Sequence, residues 1–184
     1  MDMTELSKDI MACEAMVDIE TLDTTETAVI FQVAVVLFDA DHTPIFSRQI
    51  NLEIQEQINA GRTISESTLT FHLNIPDNLQ RSLNDPSVMD LDYFHSFLAS
   101  TFFTQKYNIE AWWSKGDFDF KLLENLIASS KHPMQLPWSF RNKRELRTLM
   151  KECGVPKGTV VHNALADCHA QIAQLAECRK RIHA

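Results

Sequence analysis

The sequence predicts an α/β domain built on a mixed central sheet, with its first three strands antiparallel and helices flanking it. Three observations predict it. Up to Leu52 the chain holds three β-rich stretches separated by short polar turns, the pattern of an antiparallel meander. Beyond Leu52, helical periodicity alternates with one further strand, which places helices against the sheet. The 184 residues contain no repeat, linker or low-complexity tract, so a single domain over residues 1–184 accounts for them.

Each element follows from its local pattern. Glu14 to Leu22 alternates: Met16, Asp18 and Glu20 share one face of a strand, and Val17 and Ile19 fill the other. Thr27 to Phe38 is apolar and β-branched, the signature of a more buried strand. Asp39 to Thr43 is a turn cluster, and Ile45 to Leu52 is the third strand. Short helices are expected at Ile54–Ala60 and Ser65–His72. A stronger one spans Asp90–Phe103, with Leu91, Phe94, Phe97 and Leu98 as its stripe. Ile109–Trp113 is a short strand. Helices follow at Phe118–Ser130, Arg141–Glu152 and Ala164–Ile182.

Composition excludes several classes. Hydrophobic residues are 45% and charged residues 23%, the balance of a soluble globular protein. No apolar run approaches the roughly 18 residues of a membrane span. The start, Met1 to Glu5, is acidic and polar, unlike a secretory signal. Cys13, Cys153, Cys168 and Cys178 form no Cys-x-x-Cys pair, so free thiols in a reducing, cytoplasmic setting are expected. Net charge is −8, distributed unevenly: residues 1–92 carry four Lys/Arg against 17 Asp/Glu, and residues 93–184 carry 13 against eight. Such a chain does not coat polyanions nonspecifically. It suits a protein that grips only a few nucleotides with help from cations.

Three segments carry chemistry. In Val17-Asp18-Ile19-Glu20-Thr21 two carboxylates project together from a strand pinned by apolar neighbours. Burying them is costly unless a cation compensates, and Mg²⁺ or Mn²⁺ is the hard ion that carboxylate oxygens take. An acidic, solvated strand face is the plainer alternative. In Val161-His162-Asn163-Ala164-Leu165-Ala166-Asp167, Asn163 is an N-cap for the last helix, whose core stripe is Leu165, Cys168, Ile172 and Leu175. Asp167 then falls in the first turn, within reach of a metal, with His162 just before the helix. In Trp112 to Phe120 a strand ends, Gly116 turns and a helix starts, the place where α/β sites collect.

Taken in order, the motifs VDIETL, WSKGDFDFKLLE and HNALADC resemble those of the DEDDh (DnaQ-like) 3′–5′ exonucleases, over Val17 to about Leu175. Within that superfamily the chain is most similar to the compact phage and bacterial branch related to the exodeoxyribonuclease VIII nuclease fold. The resemblance rests there on Trp113 to Gly116 and on Thr68-Leu69-Thr70-Phe71-His72; the central turn is one residue shorter than usual. The resemblance implies a ribonuclease H-like fold and a metal-dependent 3′–5′ exonuclease. It would hydrolyse phosphodiester bonds at the 3′ end of DNA or RNA and release nucleoside 5′-monophosphates. It implies Asp18, Glu20, Asp119 and Asp167 as ligands of two Mg²⁺ or Mn²⁺ ions, and His162 as the general base. The implied partner is a 3′ end, single-stranded; a homodimer is compatible with related folds. Hydrolysis of dinucleotides or short oligonucleotides, and a degenerate nucleic-acid-binding protein of the same fold, stand as alternatives.

The central carboxylate can be argued from helical spacing. Asp119 shares a face with Leu122, Leu123 and Leu126, the side that packs on the sheet. Asp117 shares a face with Lys121 and Glu124 and falls at the N-cap, where its side chain is expected to accept a backbone N–H. Thr21 and Leu22 are substrate-facing candidates by resemblance. Phe71 either stacks on a base or packs in the core. Arg144, Arg147 and Lys151 share a basic helix face, read mainly as solvated. Trp112, Trp113 and Trp138 read as packing residues, and Cys168 beside His169 lacks the spacing of a zinc site.

Overall fold

The computed structural model describes residues 11–76, 78–102, 106–129 and 135–183. Met1 to Glu5, Phe103 and Ser130, on which sequence readings also fell, lie outside them. The sheet has five strands: β1 (Met11–Thr21), β2 (Ile30–Phe38), β3 (Pro44–Asn51), β4 (Tyr107–Ser114) and β5 (Lys143–Glu145), in the order β3-β2-β1-β4-β5. β1, β2 and β3 pair antiparallel; β4 joins β1 and β5 joins β4 in parallel. The helices are α1 (Ile54–Asn59), α2 (Glu66–Leu73), α3 (Asn78–Leu83), α4 (Leu91–Phe102), α5 (Phe118–Ala128), α6 (Leu146–Glu152) and α7 (Ala164–Ile182). Among the described residues no helix is long and apolar enough to cross a membrane.

Strand alternation sorts the core into two layers. Ala15, Val17 and Ile19 of β1 join Val33, Val35 and Leu37 of β2 in a cluster with Phe94 and Leu98 of α4 and Leu122, Leu123 and Leu126 of α5. Met16, Ala34, Val36 and Phe38 face the other way, onto Leu146 and Met150 of α6 and Cys168, Ile172 and Leu175 of α7. Because side chains alternate, Asp18 and Glu20 continue the Met16 row and open toward α7. Two elements differ from the sequence expectation. The second strand starts at Ile30, not Thr27, because Thr24 to Thr27 are exposed in the turn that returns the chain from β1. The helix expected from Arg141 starts at Leu146. Lys143 to Glu145 instead pair with Trp112 to Ser114, and the Glu145 carboxylate caps α6 by accepting from the N–H of Arg147 and of Thr148. Arg144 therefore belongs to a strand and shares no helix face with Arg147 and Lys151. The short α3 carried no readable period.

Candidate active site

The site starts from β1. Asp18 and Glu20 sit opposite Ala34 and Gln32 of β2, and the strand bulges just after Glu20. α7 supplies the third carboxylate. Asn163 caps the helix by accepting from the Ala166 N–H at 3.1 Å, and the Gln32 side-chain oxygen accepts the Ala164 N–H at 2.8 Å, which ties the start of α7 to β2. Asp167 faces back across the cap. Its two oxygens accept the N–H groups of Val161 (3.0 Å) and Asn163 (3.2 Å). One ligand atom each from Asp18, Glu20 and Asp167 lies within 4.8 Å of the others. Between those two N–H groups stands His162, at a φ of 58°, with its carbonyl oxygen accepting from the Asn78 amide of α3. A left-handed histidine is uncommon and persists only where its surroundings hold it.

The two aspartates at the head of α5 separate clearly. Asp119 is only 9% exposed and lines the same cleft of about 210 Å³ as Asp18 and Asp167, although it stands outside the three-ligand set. Asp117 is exposed, and its carboxylate lies 3.0 Å from Lys121 Nζ, one turn on. The expected side-chain cap by Asp117 is absent: the residue is helical, at φ −84° and ψ −7°, so its side chain does not arch over the first turn. Its ion pair is solvent-exposed and screened by water, so it contributes little to the helix.

The carboxylates have little local compensation. Asp18 accepts from the Gln171 amide at 2.6 Å, but among the described residues no Lys or Arg lies within 4 Å of Asp18, Glu20, Asp119 or Asp167. Burial, then the neighbouring Asp167 and Asp119, pushes Glu20 up to about 8. Burial pushes Asp119 up to about 7. Burial and then Asp119 hold Asp18 well above the usual carboxylate range. Among the described residues the buried Gln171 oxygen has no hydrogen-bond partner. Packed, mutually repelling oxygen donors fit hard divalent cations, which would reverse this protonation.

The Glu20 end of the site is edged by rings. Glu20 Oε2 lies 3.8 Å from His72 Nε2 and 3.9 Å from His162 Nδ1. Phe71 is 45% exposed and meets the His162 ring edge-on, with centroids 4.7 Å apart, so core packing does not describe it. Thr21 is buried, and its hydroxyl donates to the Asp23 carbonyl at 2.7 Å. Leu22 is buried beside Val29, Phe31 and Leu79. Trp112, Trp113 and Trp138 are buried, as packing residues should be. Cys168 is fully buried while His169 is exposed, so the two cannot share a zinc ion.

The other end of the cleft brings together residues that sequence reasoning left apart. Lys115, Arg147, Lys157 and Gln171 line it with Asp18, Asp119 and Asp167. Gln171 had a readable signal, since it lies one helical turn after Asp167. Arg147 had none, because its orientation depends on where α6 begins. Gly116 makes room for it: the turn runs at φ +123°, and a Cβ there would come within 3.3 Å of the Arg147 guanidinium.

A mixed sheet with three carboxylates converging from β1 and α7, and a fourth at the head of α5, defines a nuclease of the ribonuclease H-like class. Residues 13–179 match the 3′-5′ exoribonuclease Rv2179c-like domain, and the chain belongs to that family. It is a 3′–5′ exonuclease, the activity its motif order implied. The exodeoxyribonuclease of Enterobacteria phage T4 is 25% identical, over 87% of this chain and 86% of the phage protein. Among solved structures, the zinc-bound E. coli ExoI–ssDNA complex superposes with a TM-score of 0.68 over 93% of this chain, at 16% identity. ExoI with a 5cy-dA13 oligonucleotide gives a TM-score of 0.67 at 16% identity over 92% of this chain. This chain spans about two-fifths of those ExoI chains, 41% and 40%, and the likeness is one of fold.

Proposed function

We propose that this protein hydrolyses the 3′-terminal phosphodiester of single-stranded RNA or DNA and releases a nucleoside 5′-monophosphate, with Asp18, Glu20, Asp119 and Asp167 holding two Mg²⁺ or Mn²⁺ ions. The observation that carries it is the convergence of Asp18, Glu20 and Asp167 within 4.8 Å, with buried Asp119 beside them and, among the described residues, no Lys or Arg within 4 Å of the four. Bound divalent ions supply Lewis acidity at the phosphate and lower the pKa of a water nucleophile. The protein's own residues do the rest. Asp167 is oriented by two backbone N–H groups, and Asp18 by Gln171, so both carboxylates are preorganised. His162 takes the proton of the attacking water; an imidazole suits that exchange near neutral pH. Phe71, exposed beside His162, offers a face for the terminal base.

The family's description supports RNA as substrate, and the phage relative supports DNA. The test uses single-stranded RNA and DNA labelled at either the 3′ or the 5′ end. Mononucleotide release from the 3′ label, a ladder shortening toward the 5′ label, abolition by EDTA and recovery with Mg²⁺ or Mn²⁺ are expected. Full activity in EDTA, or release first from the 5′ end, overturns the reading.

A further inference from the structure

We propose that Lys115, Arg147 and Lys157 form a binding subsite for the backbone phosphate immediately 5′ of the scissile one, so that the preferred substrate is an oligonucleotide of three or more nucleotides and not a dinucleotide. The inference rests on the proposed function. Three cationic side chains line one small cleft with Asp18, Asp119 and Asp167. They come from three separate segments: the β4–α5 turn, the first turn of α6 and the loop before His162.

Lys115 and Arg147 are tied to neutral oxygens, and Lys157 takes part through its backbone carbonyl. Lys115 Nζ donates to the Lys157 carbonyl and to Gln174 Oε1, both at 2.9 Å, and Arg147 Nη2 donates to the Lys115 carbonyl at 3.0 Å. Gln174 also donates to the Lys157 carbonyl at 2.8 Å, which straps the loop to α7. Among the described residues none of the three cations lies within 4 Å of a carboxylate, so their charge is left available. A phosphodiester oxygen is the anion such a group would receive. Cleavage at a 3′ terminus leaves every further phosphate on the 5′ side. The first of these lies one nucleotide away, and the three cations line the same small cleft as the carboxylates. An acidic chain thereby gains a local positive rim for a short grip, with no long basic track.

The experiment measures kcat and KM on oligonucleotides of two, three and four nucleotides with 5′-hydroxyl ends, for the wild type and for the double variant Arg147→Gln with Lys157→Gln. Glutamine at 147 keeps a donor for the Lys115 carbonyl and removes the charge. The wild type should gain about 10-fold in kcat/KM from two to three nucleotides, the scale of one charge-assisted hydrogen bond. In the double variant that gain should shrink to within about 2-fold, and the log–log salt slope on longer strands should flatten by ~0.7 per lost phosphate contact. If the double variant melts lower than the wild type, Lys157→Gln alone carries the comparison, since its side chain makes no hydrogen bond among the described residues. A variant that keeps the full length gain overturns the subsite. A wild type that cuts dinucleotides as well as trinucleotides overturns it too, while leaving the proposed function standing. A wild type that cuts none of the series but shortens longer strands overturns the subsite alone, and one that cuts neither overturns both.

Discussion

The surroundings of Glu20 and of Asp119, the two flanks of the carboxylate cluster, are built from different chemistry. At the Glu20 end the neighbours are rings: His72, His162 and the exposed Phe71. At the Asp119 end they are cations and amides: Lys115, Arg147, Lys157 and Gln171. Rings at one end suit a base, which every nucleotide presents as a flat π-face; cations at the other suit a phosphate. The difference teaches how a protein of net charge −8 manages an anionic substrate. Attraction is confined to a rim of a few residues from its basic second half. The acidic first half supplies the carboxylates of β1.

The comparison breaks first at the head of α5. Asp119→Asn should lower the exonuclease rate by ~10³-fold or more, the scale of losing a preorganised electrostatic group. Asp117→Asn should stay within a few-fold of wild type, because Asp117 is exposed and, among the described residues, its carboxylate pairs with Lys121 alone. Parallel rate assays on the two folded variants check this, and a dead Asp117→Asn beside an active Asp119→Asn reverses the assignment.

The ring end is sharpened by His162→Asn. Asparagine tolerates the left-handed backbone that His162 adopts, so the Asn78 contact to its carbonyl should persist. The rate should fall by roughly 10²–10⁴-fold, the weight of general acid–base catalysis. Mn²⁺ binding, followed by electron paramagnetic resonance, should survive. A rate within a few-fold of wild type removes His162 from the proton transfer.

The smallest effect separates the carboxylate floor from both ends. With Glu20 raised to about 8, Asp119 to about 7 and Asp18 raised as well, the folded metal-free protein holds more protons than the unfolded chain above about pH 4. Its stability should therefore be fullest below that pH, as far as these groups contribute, and should be lost progressively as pH rises through about 7 to 8. Melting curves without metal should shift downward across that window, and Mg²⁺ should restore more at pH 8 than at pH 6. A melting temperature that is flat with pH in EDTA, and equally raised by Mg²⁺ at both values, contradicts the buried-carboxylate account.

Much of the site was legible because it is local. Asp18 and Glu20 share a face by the two-residue period of a strand, and Asn163 caps α7 and puts Asp167 in its first turn by local hydrogen bonding. Asp119 could be preferred over Asp117 from the Leu122, Leu123 and Leu126 face alone, although the cap expected of Asp117 did not form. The less legible parts depend on partners distant in sequence. β5 exists because Lys143 to Glu145 find the edge of β4, and that pairing displaces the start of α6 by five residues from Arg141 to Leu146.

The sequence by itself determined the order of the elements, the alternation that aims Asp18 and Glu20 at α7, and the residue types of the carboxylate floor. These are consequences of periods 2 and 3.6 and of capping chemistry, which act within a few residues. Only the tertiary structure decided that Arg147, Lys115 and Lys157 meet at one rim, that Phe71 is exposed against His162, and that His162 is held left-handed by Asn78. Those arrangements join segments far apart in sequence, Asn78 and His162 by 84 residues and Phe71 and His162 by more. No local pattern encodes them, because packing across the sheet and the closing of loops select which of many sterically allowed side-chain meetings occur.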